Sequence, residues 1–570
     1  MAGNFLTPTA VWKDFSIQGD ISAEVLKEYS EKGVAFVHLR IGGRKVADGQ
    51  VGIYAVMTRK AQLTVAPALV VVQDLANGTD LTLARFFAEQ GYTVLTVDLA
   101  GETENATENK NAAGFGFAPY TIYPESLKYA NYDPQAEDIA EISGNAYATC
   151  WFEWGRVIRY AVEYLKRQPL ITKVGVLGVN AAATPLWQVL SASCGISAAV
   201  IVGNAGWKGY RGIDKFGDKP EPQFGDDALK YLAGVEPQAY ATHVKCPVMV
   251  LSPTNSPVYD FDRAYDTVSR VPSGVYRAID YSVGGREQID FDCFNGAVVF
   301  FNELLVKDAP VLAKEISVKS AFVGNAVRIE VSPDLNGLKE LFVYCAEEEL
   351  SPARRAWYKI TGAERNEKGV YAFTYTPYNK SGAVMFFARA GYENGFHICS
   401  VVSCRKFGTE IGQTNLYRVY YSSRMTDGEN GFYPAVENVA LPRGIDLDKD
   451  DFVRIKSGHM SMYGLYCKRG ILTFKINGKK FKPLQGSILM TDVCVKGGGT
   501  FCVKAIVDYF GKKTEYSAQV KIFGDLWQNV KFELNNFKTA EGMGLKTYDN
   551  VQALEFSADG EFMINNLLWL

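Results

Sequence analysis

Apolar positions along the chain first alternate and then run together. Val37, Leu39 and Ile41 share one face of an extended segment, and Val51, Ile53, Ala55 and Met57 share one face of another. That period of two predicts half-buried strands, and Ala47-Asp48-Gly49 between them suits a hairpin turn. Continuous apolar runs follow at 68–72, 93–97, 173–177, 198–202 and 247–251, the pattern of strands covered on both faces. Helical spacing fills the gaps. Residues 80–90 end at Gly91, and residues 154–167 carry apolar side chains at 154, 157, 158, 161, 162 and 165 before Pro169. Two antiparallel strands and then a βαβα series predict an α/β unit over residues 33–308, a mostly parallel sheet with helices on both faces.

After Leu305 the helical period disappears. Strand-like runs at 326–331, 341–344, 371–375, 383–388 and 398–402 predict a β-sandwich of immunoglobulin or fibronectin type. Residues 406–415, with Gly408 and Gly412, read as a linker. Residues 416–570 are again all β in pattern, with Gly497-Gly498-Gly499 as a turn, and are read as a jelly roll. The expected division is therefore 1–310, 311–408 and 409–570. A length of 570 residues is itself too great for one core.

Composition removes several classes of function. Lys and Arg number 60 against 63 Asp and Glu, a net charge of -3 without a basic run, so neither nucleic acid nor an anionic membrane is an expected partner. No apolar stretch approaches the roughly eighteen residues that span a bilayer. The opening MAGNFLTPTAVWKDF lacks the pattern of a signal peptide, and the ten cysteines are scattered without C-x-x-C. Free thiols and a cytoplasmic location are expected, or secretion if a leader has been trimmed. No cofactor and no metal are expected. Asp446-Leu-Asp448-Lys-Asp450-Asp451 starts like a calcium loop, but the sixth position lacks glycine and the twelfth is Ser457. No G-x-G-x-x-G is present.

Candidate chemistry centres on Gly175-Val-Leu-Gly-Val-Asn-Ala-Ala-Ala-Thr184. A β-branched run, a glycine, one residue, a polar residue and a string of alanines outline a nucleophile elbow. The tip is Asn180, and a carboxamide does not attack an ester. With Val72-Gln-Asp-Leu75, Val97-Asp-Leu-Ala-Gly-Glu102 and Val244-Lys-Cys-Pro-Val248, the first 308 residues resemble the acetyl-xylan esterase and dienelactone hydrolase branch of the α/β-hydrolases. The middle unit, with Pro352-Ala-Arg-Arg-Ala-Trp-Tyr358, resembles fibronectin-like sandwiches attached to such esterases. The last unit resembles galactose-binding-like, carbohydrate-binding jelly rolls.

The resemblance implies a triad in the order Ser, Asp, His. Its nucleophile position matches Asn180. Its acid position matches Ser256 in the loop Ser252–Pro257, with Asp260 and Asp262 a few residues on. The histidine loop, 281–290, contains no histidine; Gln288 stands there. The chain's four histidines are His38, His243, His397 and His459, and none falls at the triad position. His38 is read as a partly exposed strand residue and His243 as structural. Cys150 and Cys194 lack an activating histidine and read as packing residues. Aromatics at 115–123, 129 and 132, with Trp151 and Trp154, occupy the insertion that would roof the cleft. Tyr120, Tyr123, Trp151 and Trp154 are the candidate sugar-stacking residues, with packing against the sheet as the plainer role. A second group, Tyr417, Tyr420, Tyr421, Phe432 and Tyr433, offers exposed rings in the last unit.

The expectation is a non-catalytic pseudo-hydrolase that binds or scaffolds in a carbohydrate-related setting. The alternatives are a carbohydrate ester hydrolase acting through non-standard residues and a self-assembling structural protein. A homo-oligomer is compatible with each.

Overall fold

The computed structural model describes residues 5–570 apart from 63–64, 74, 76–78, 104–115, 132–141, 143, 193–194, 287–288, 309, 378–381, 408–417, 427, 436–452, 457–460, 469 and 510–511. Its first portion is a nine-stranded sheet built from β1 (Ala23–Glu31), β2 (Val34–Val46), β3 (Gly49–Lys60), β4 (Ala66–Val72), β5 (Thr93–Val97), β6 (Ile171–Val179), β7 (Ala198–Val202), β8 (Val248–Pro253) and β9 (Arg277–Ser282). The spatial order is β1-β2-β3-β5-β4-β6-β7-β8-β9. The pairs β1–β2, β2–β3 and β3–β5 are antiparallel, and every pair from β5–β4 to β8–β9 is parallel.

The alternating segments at 37–41 and 51–57 are the β2–β3 hairpin, and the continuous runs are the buried parallel strands. The expectation omitted β1. Its residues are mostly exposed and include Glu24, Lys27, Glu28 and Glu31. An edge strand paired on one side needs no apolar face, and charges there discourage edge-to-edge association. The helix expected to start at Trp154 runs Cys150–Lys166, because Thr149 caps it by accepting the Phe152 N–H at 3.4 Å. The helix before Gly91 runs Thr82–Glu89, and Gly91 takes a left-handed φ of 99°.

Strands within residues 317–406 form two antiparallel sheets of four and five strands. Residues 419–569 form two more, of six and five strands. Both are β-rich as expected. An apolar cluster of the α/β portion continues through Trp357 and Phe387 of the middle portion into Tyr433 and Phe474 of the last. The three portions share buried surface. No described helix is long and apolar enough to cross a membrane. Nine cysteines are free thiols; Cys194 lies outside the described residues, as do Phe115, Tyr132, His459, the acidic segment 446–451 and the expected linker from Gly408 on.

Candidate functional site

The parallel strands point their carboxyl ends at one edge of the sheet, where ligands of open α/β sheets bind. β6 ends at Val179, and Asn180 turns the chain with φ 52°. A short turn over Asn180–Ala182 opens the helix Ala183–Ser191, every residue of which is buried. Asparagine is one of the few non-glycine residues that takes this backbone at modest cost. Gly178 leaves room for the helix: a Cβ there would lie 2.6 Å from Leu186 Cδ2. This is the elbow expected from the sequence, with a carboxamide at its tip.

Asn180 is only 6% exposed. Gly203, at the end of β7 with φ 81°, lies directly beside it. A Cβ on Gly203 would stand 2.7 Å from Asn180 Oδ1 and 3.2 Å from the Tyr259 ring. The carboxamide is therefore packed into the space between a glycine and an aromatic ring.

The polar side chains Ser256, Asp260 and Asp262, in the loop after β8 and the helix that follows, are engaged in structural contacts. Ser256 is buried, and its Oγ accepts the N–H groups of Val258 and Tyr259 at 3.2 and 2.9 Å, closing a local turn. Asp260 caps the helix Phe261–Ser269 by accepting the Arg263 N–H at 3.1 Å, and it pairs with the Arg263 guanidinium at 2.5 Å. Burial pushes its carboxyl up to about 6. Asp262 accepts two bonds from Arg355 at 2.6 and 2.7 Å, with both side chains fully buried. Among the described residues, the side chains paired with these aspartates are arginines and not histidines.

The histidine loop faces the third portion. Gly284, φ 77°, lies so close to Tyr433 that a Cβ would sit 2.2 Å from the ring. Arg286 forms a buried pair with Asp508. Asn255 Nδ2 donates to the carbonyls of Arg355 and Pro352 at 2.7 and 3.2 Å. Nearby, Arg389 grips Asp280 of β9 with two bonds of 2.9 Å. Burial alone would raise that carboxyl, but the guanidinium holds it below the usual range. Gln288 itself lies outside the described residues. The loops after β8 and β9 are thus docking surfaces for the β portions. Arg355, Arg389 and Asp508 were not legible as joint residues, and Tyr433 was read as an exposed ring. A lone arginine or tyrosine carries no sequence signal of its partner.

The described histidines sit elsewhere. His38 is buried within β2, a correction to the partly exposed reading, because the strand is covered on that face too. Its Nδ1 lies 2.7 Å from the Tyr54 hydroxyl, and burial holds its pKa down to about 4. His243 closes the turn before β8. That turn is at the amino end of a strand parallel to β6, so it lies at the sheet edge opposite the elbow. His397 is in the middle portion, 3.5 Å from Glu340.

Of the insertion's aromatics, Tyr123, Trp151 and Trp154 take the plainer packing role and not the sugar-stacking one. Trp154 is fully buried and donates from Nε1 to the Ala130 carbonyl at 2.7 Å. Trp151 packs edge-on against Tyr231, ring centres 5.0 Å apart. Tyr123 is buried and donates to the Leu99 carbonyl at 2.7 Å. Their faces are occupied by protein. Tyr120 is half-buried, its hydroxyl 3.3 Å from Glu102. Tyr420, Tyr421, Phe432 and Tyr433 are buried as well, since aromatic area is what fills a sandwich core; Tyr417 lies outside the described residues. The segment 118–121 is held by charged side chains. Arg40 donates to the carbonyls of Ala118 and Tyr120, each at 2.6 Å. Asp98 accepts the N–H groups of Gly101 and Thr121 at 3.1 and 2.7 Å, and burial raises its carboxyl to about 6. No group of His, Cys, Asp and Glu among the described residues is arranged to hold a metal.

No family model and no curated protein matches this chain. Solved structures do. Acetyl xylan esterase 1 from a Thermoanaerobacterium species is 12% identical, over 50% of this chain and 89% of its own, with a TM-score of 0.39. The acetyl xylan esterase of a Paenibacillus species is 12% identical over 52% and 92%, TM-score 0.37. The acylaminoacyl peptidase of Pyrococcus horikoshii is 15% identical over 52% and 51%, TM-score 0.32.

Proposed function

We propose that the chain is a non-catalytic pseudo-hydrolase, an esterase-like scaffold that binds rather than cleaves, in a carbohydrate-related setting. One observation carries this reading: the elbow keeps its strained geometry while its tip holds Asn180, packed against Gly203 and Tyr259. Loss of a nucleophile or base from a serine triad costs about a millionfold in rate, roughly 8 kcal/mol of transition-state stabilisation. Here nucleophile, acid and histidine are all replaced. The loops that would carry the acid and the histidine are engaged by Arg355, Tyr433 and Asp508.

The test is direct. The purified full chain should not be labelled by fluorophosphonate probes and should hydrolyse aryl acetates no faster than denatured protein. Asn180→Ser should leave both results unchanged, since a hydroxyl without a base is not activated. Labelling lost on mutating one internal serine or cysteine would sink the reading. The second reading is a carbohydrate ester hydrolase acting through other residues. It is favoured by the intact strand, left-handed turn and helix of the elbow, and acetyl xylan esterases stand among the similar structures. The same probe decides between the two.

A further inference from the structure

Asparagine precedes glycine at 77, 295, 336, 394, 430 and 477. Asparagine is chemically labile, and most so in this pair. The backbone nitrogen that follows can attack the side-chain carboxamide, and glycine has no Cβ to crowd it. In a folded chain the attack needs a carboxamide free to turn and a nitrogen free of hydrogen bonds. Asn77 lies outside the described residues, and the other pairs differ in both respects.

Asn295 is inside the helix Phe291–Phe301, where the Gly296 nitrogen belongs to the backbone ladder. Asn477 is buried and donates to the carbonyls of Phe474, at 3.2 Å, and Gln552, while the Gly478 N–H is on the Lys475 carbonyl at 3.0 Å. Asn430 is half-buried, and its Oδ1 accepts the Lys359 N–H at 3.2 Å. Asn394 is exposed, yet its Oδ1 accepts the Phe396 N–H at 3.0 Å and the Gly395 N–H is on the Tyr392 carbonyl at 2.9 Å. Asn336 is exposed and lacks these restraints. Neither its carboxamide nor the Gly337 N–H has a hydrogen-bond partner among the described residues. The turn that holds the pair closes loosely, with Leu338 N 3.5 Å from the Leu335 carbonyl and Gly337 at φ 68°.

We propose that Asn336 is a site of spontaneous modification, converting through a succinimide to aspartyl and isoaspartyl forms in the native protein. The Gly337 nitrogen bonds to Cγ of Asn336 and gives up its proton, and the side-chain nitrogen takes a proton and leaves as ammonia. Water then opens the ring at either carbonyl, so one water enters for each ammonia released. Opening at Cγ gives the aspartyl form. Opening at the main-chain carbonyl gives the isoaspartyl form, in which the chain runs through Cγ and gains a methylene. Either product sets a new carboxylate two residues from Asp334. Asp334 Oδ2 accepts the Lys314 N–H at 3.2 Å, on the segment that leads into the middle portion. Like charges so close repel, so conversion loosens that hold.

The full chain is aged for days in mildly alkaline buffer at physiological temperature and then digested with trypsin, against an unaged control. The peptide 329–339 carries Asn336 as its one asparagine. Its mass therefore reports this site alone, and methylation by an isoaspartyl methyltransferase reads the isomer. Conversion at 336 should exceed that at 295, 394, 430 and 477 severalfold, and Asn336→Gln should abolish it. Ageing in urea removes the fold, and there the same pairs should convert at comparable rates. Hydrogen exchange at the Lys314 N–H should quicken in the converted protein. Another of these four pairs leading in the native chain, or the native ranking persisting in urea, overturns the assignment to this turn. Unchanged exchange at Lys314 overturns its consequence for the connection.

Discussion

Arg355→Met should be among the most damaging single substitutions outside the apolar core. Arg355 is 0% exposed, as is Asp262. The guanidinium gives two bonds to that carboxylate, and it also donates to the carbonyls of Glu349 at 2.9 Å and Leu350 at 2.6 Å. Methionine has similar length and apolar bulk, so the packing loss is small. What remains is a buried carboxylate without its partner, which costs about 3–5 kcal/mol. The two bared carbonyls lie at the turn and can recruit water, so they are not added to that figure. Replacing both partners, Arg355→Met with Asp262→Leu, removes the stranded charge and should return at least half of the loss, because a buried pair costs desolvation that an apolar pair does not. The assay is urea unfolding followed by tryptophan emission. Trp357, whose ring lies 5.5 Å from the guanidinium, reports the joint between the portions. A loss under about 1 kcal/mol for Arg355→Met would refute the reasoning. So would a double variant whose loss equals the sum of the two singles, since residues in contact must couple.

Two further outcomes are expected. Gly284→Ala should destabilise by about 2–4 kcal/mol, combining a positive φ with a Cβ driven into Tyr433, and Tyr433→Ala in the same chain should recover part of it; additive losses by thermal unfolding would mean the loop does not touch that ring. The pH dependence separates two buried groups of opposite sign. Burial raises Asp98 from 3.8 to about 6, so the folded chain takes up a proton that the unfolded chain does not between these values. That stabilisation is full below pH 4 and is lost as pH rises through 6. It is worth up to about 3 kcal/mol. Burial lowers His38 from 6.5 to about 4, so its contribution is present above pH 6.5 and is lost as pH falls toward 4. The stability gap between wild type and Asp98→Asn should therefore widen in favour of wild type as pH drops from 6 to 4, and the gap to His38→Gln should narrow; gaps that stay flat over that window would overturn both assignments.

Much of the α/β portion is determined by local pattern alone. Period-two alternation at 37–41 and 51–57, unbroken apolar runs at 68–72 and 198–202, and glycines after helices each act over a few residues. Solvation and backbone preference suffice to read them. The elbow is legible for the same reason: Gly178, Asn180 and the alanines are one contiguous steric solution. That position 180 holds no serine and residues 281–290 no histidine is legible too, being a fact of sequence. β1 was not, since an exposed edge strand carries no apolar period. Nor was the burial of Tyr420 and Tyr433, because an aromatic residue has the same letter whether its face meets a sugar or a core. The joint itself belongs wholly to tertiary structure. Asp262 and Arg355 are 93 residues apart, and Arg286 and Asp508 are 222 apart. Nothing local in either segment marks the other, and only the packing of the β portions onto the carboxyl edge of the sheet turns lone charges into buried pairs and that edge into a seam.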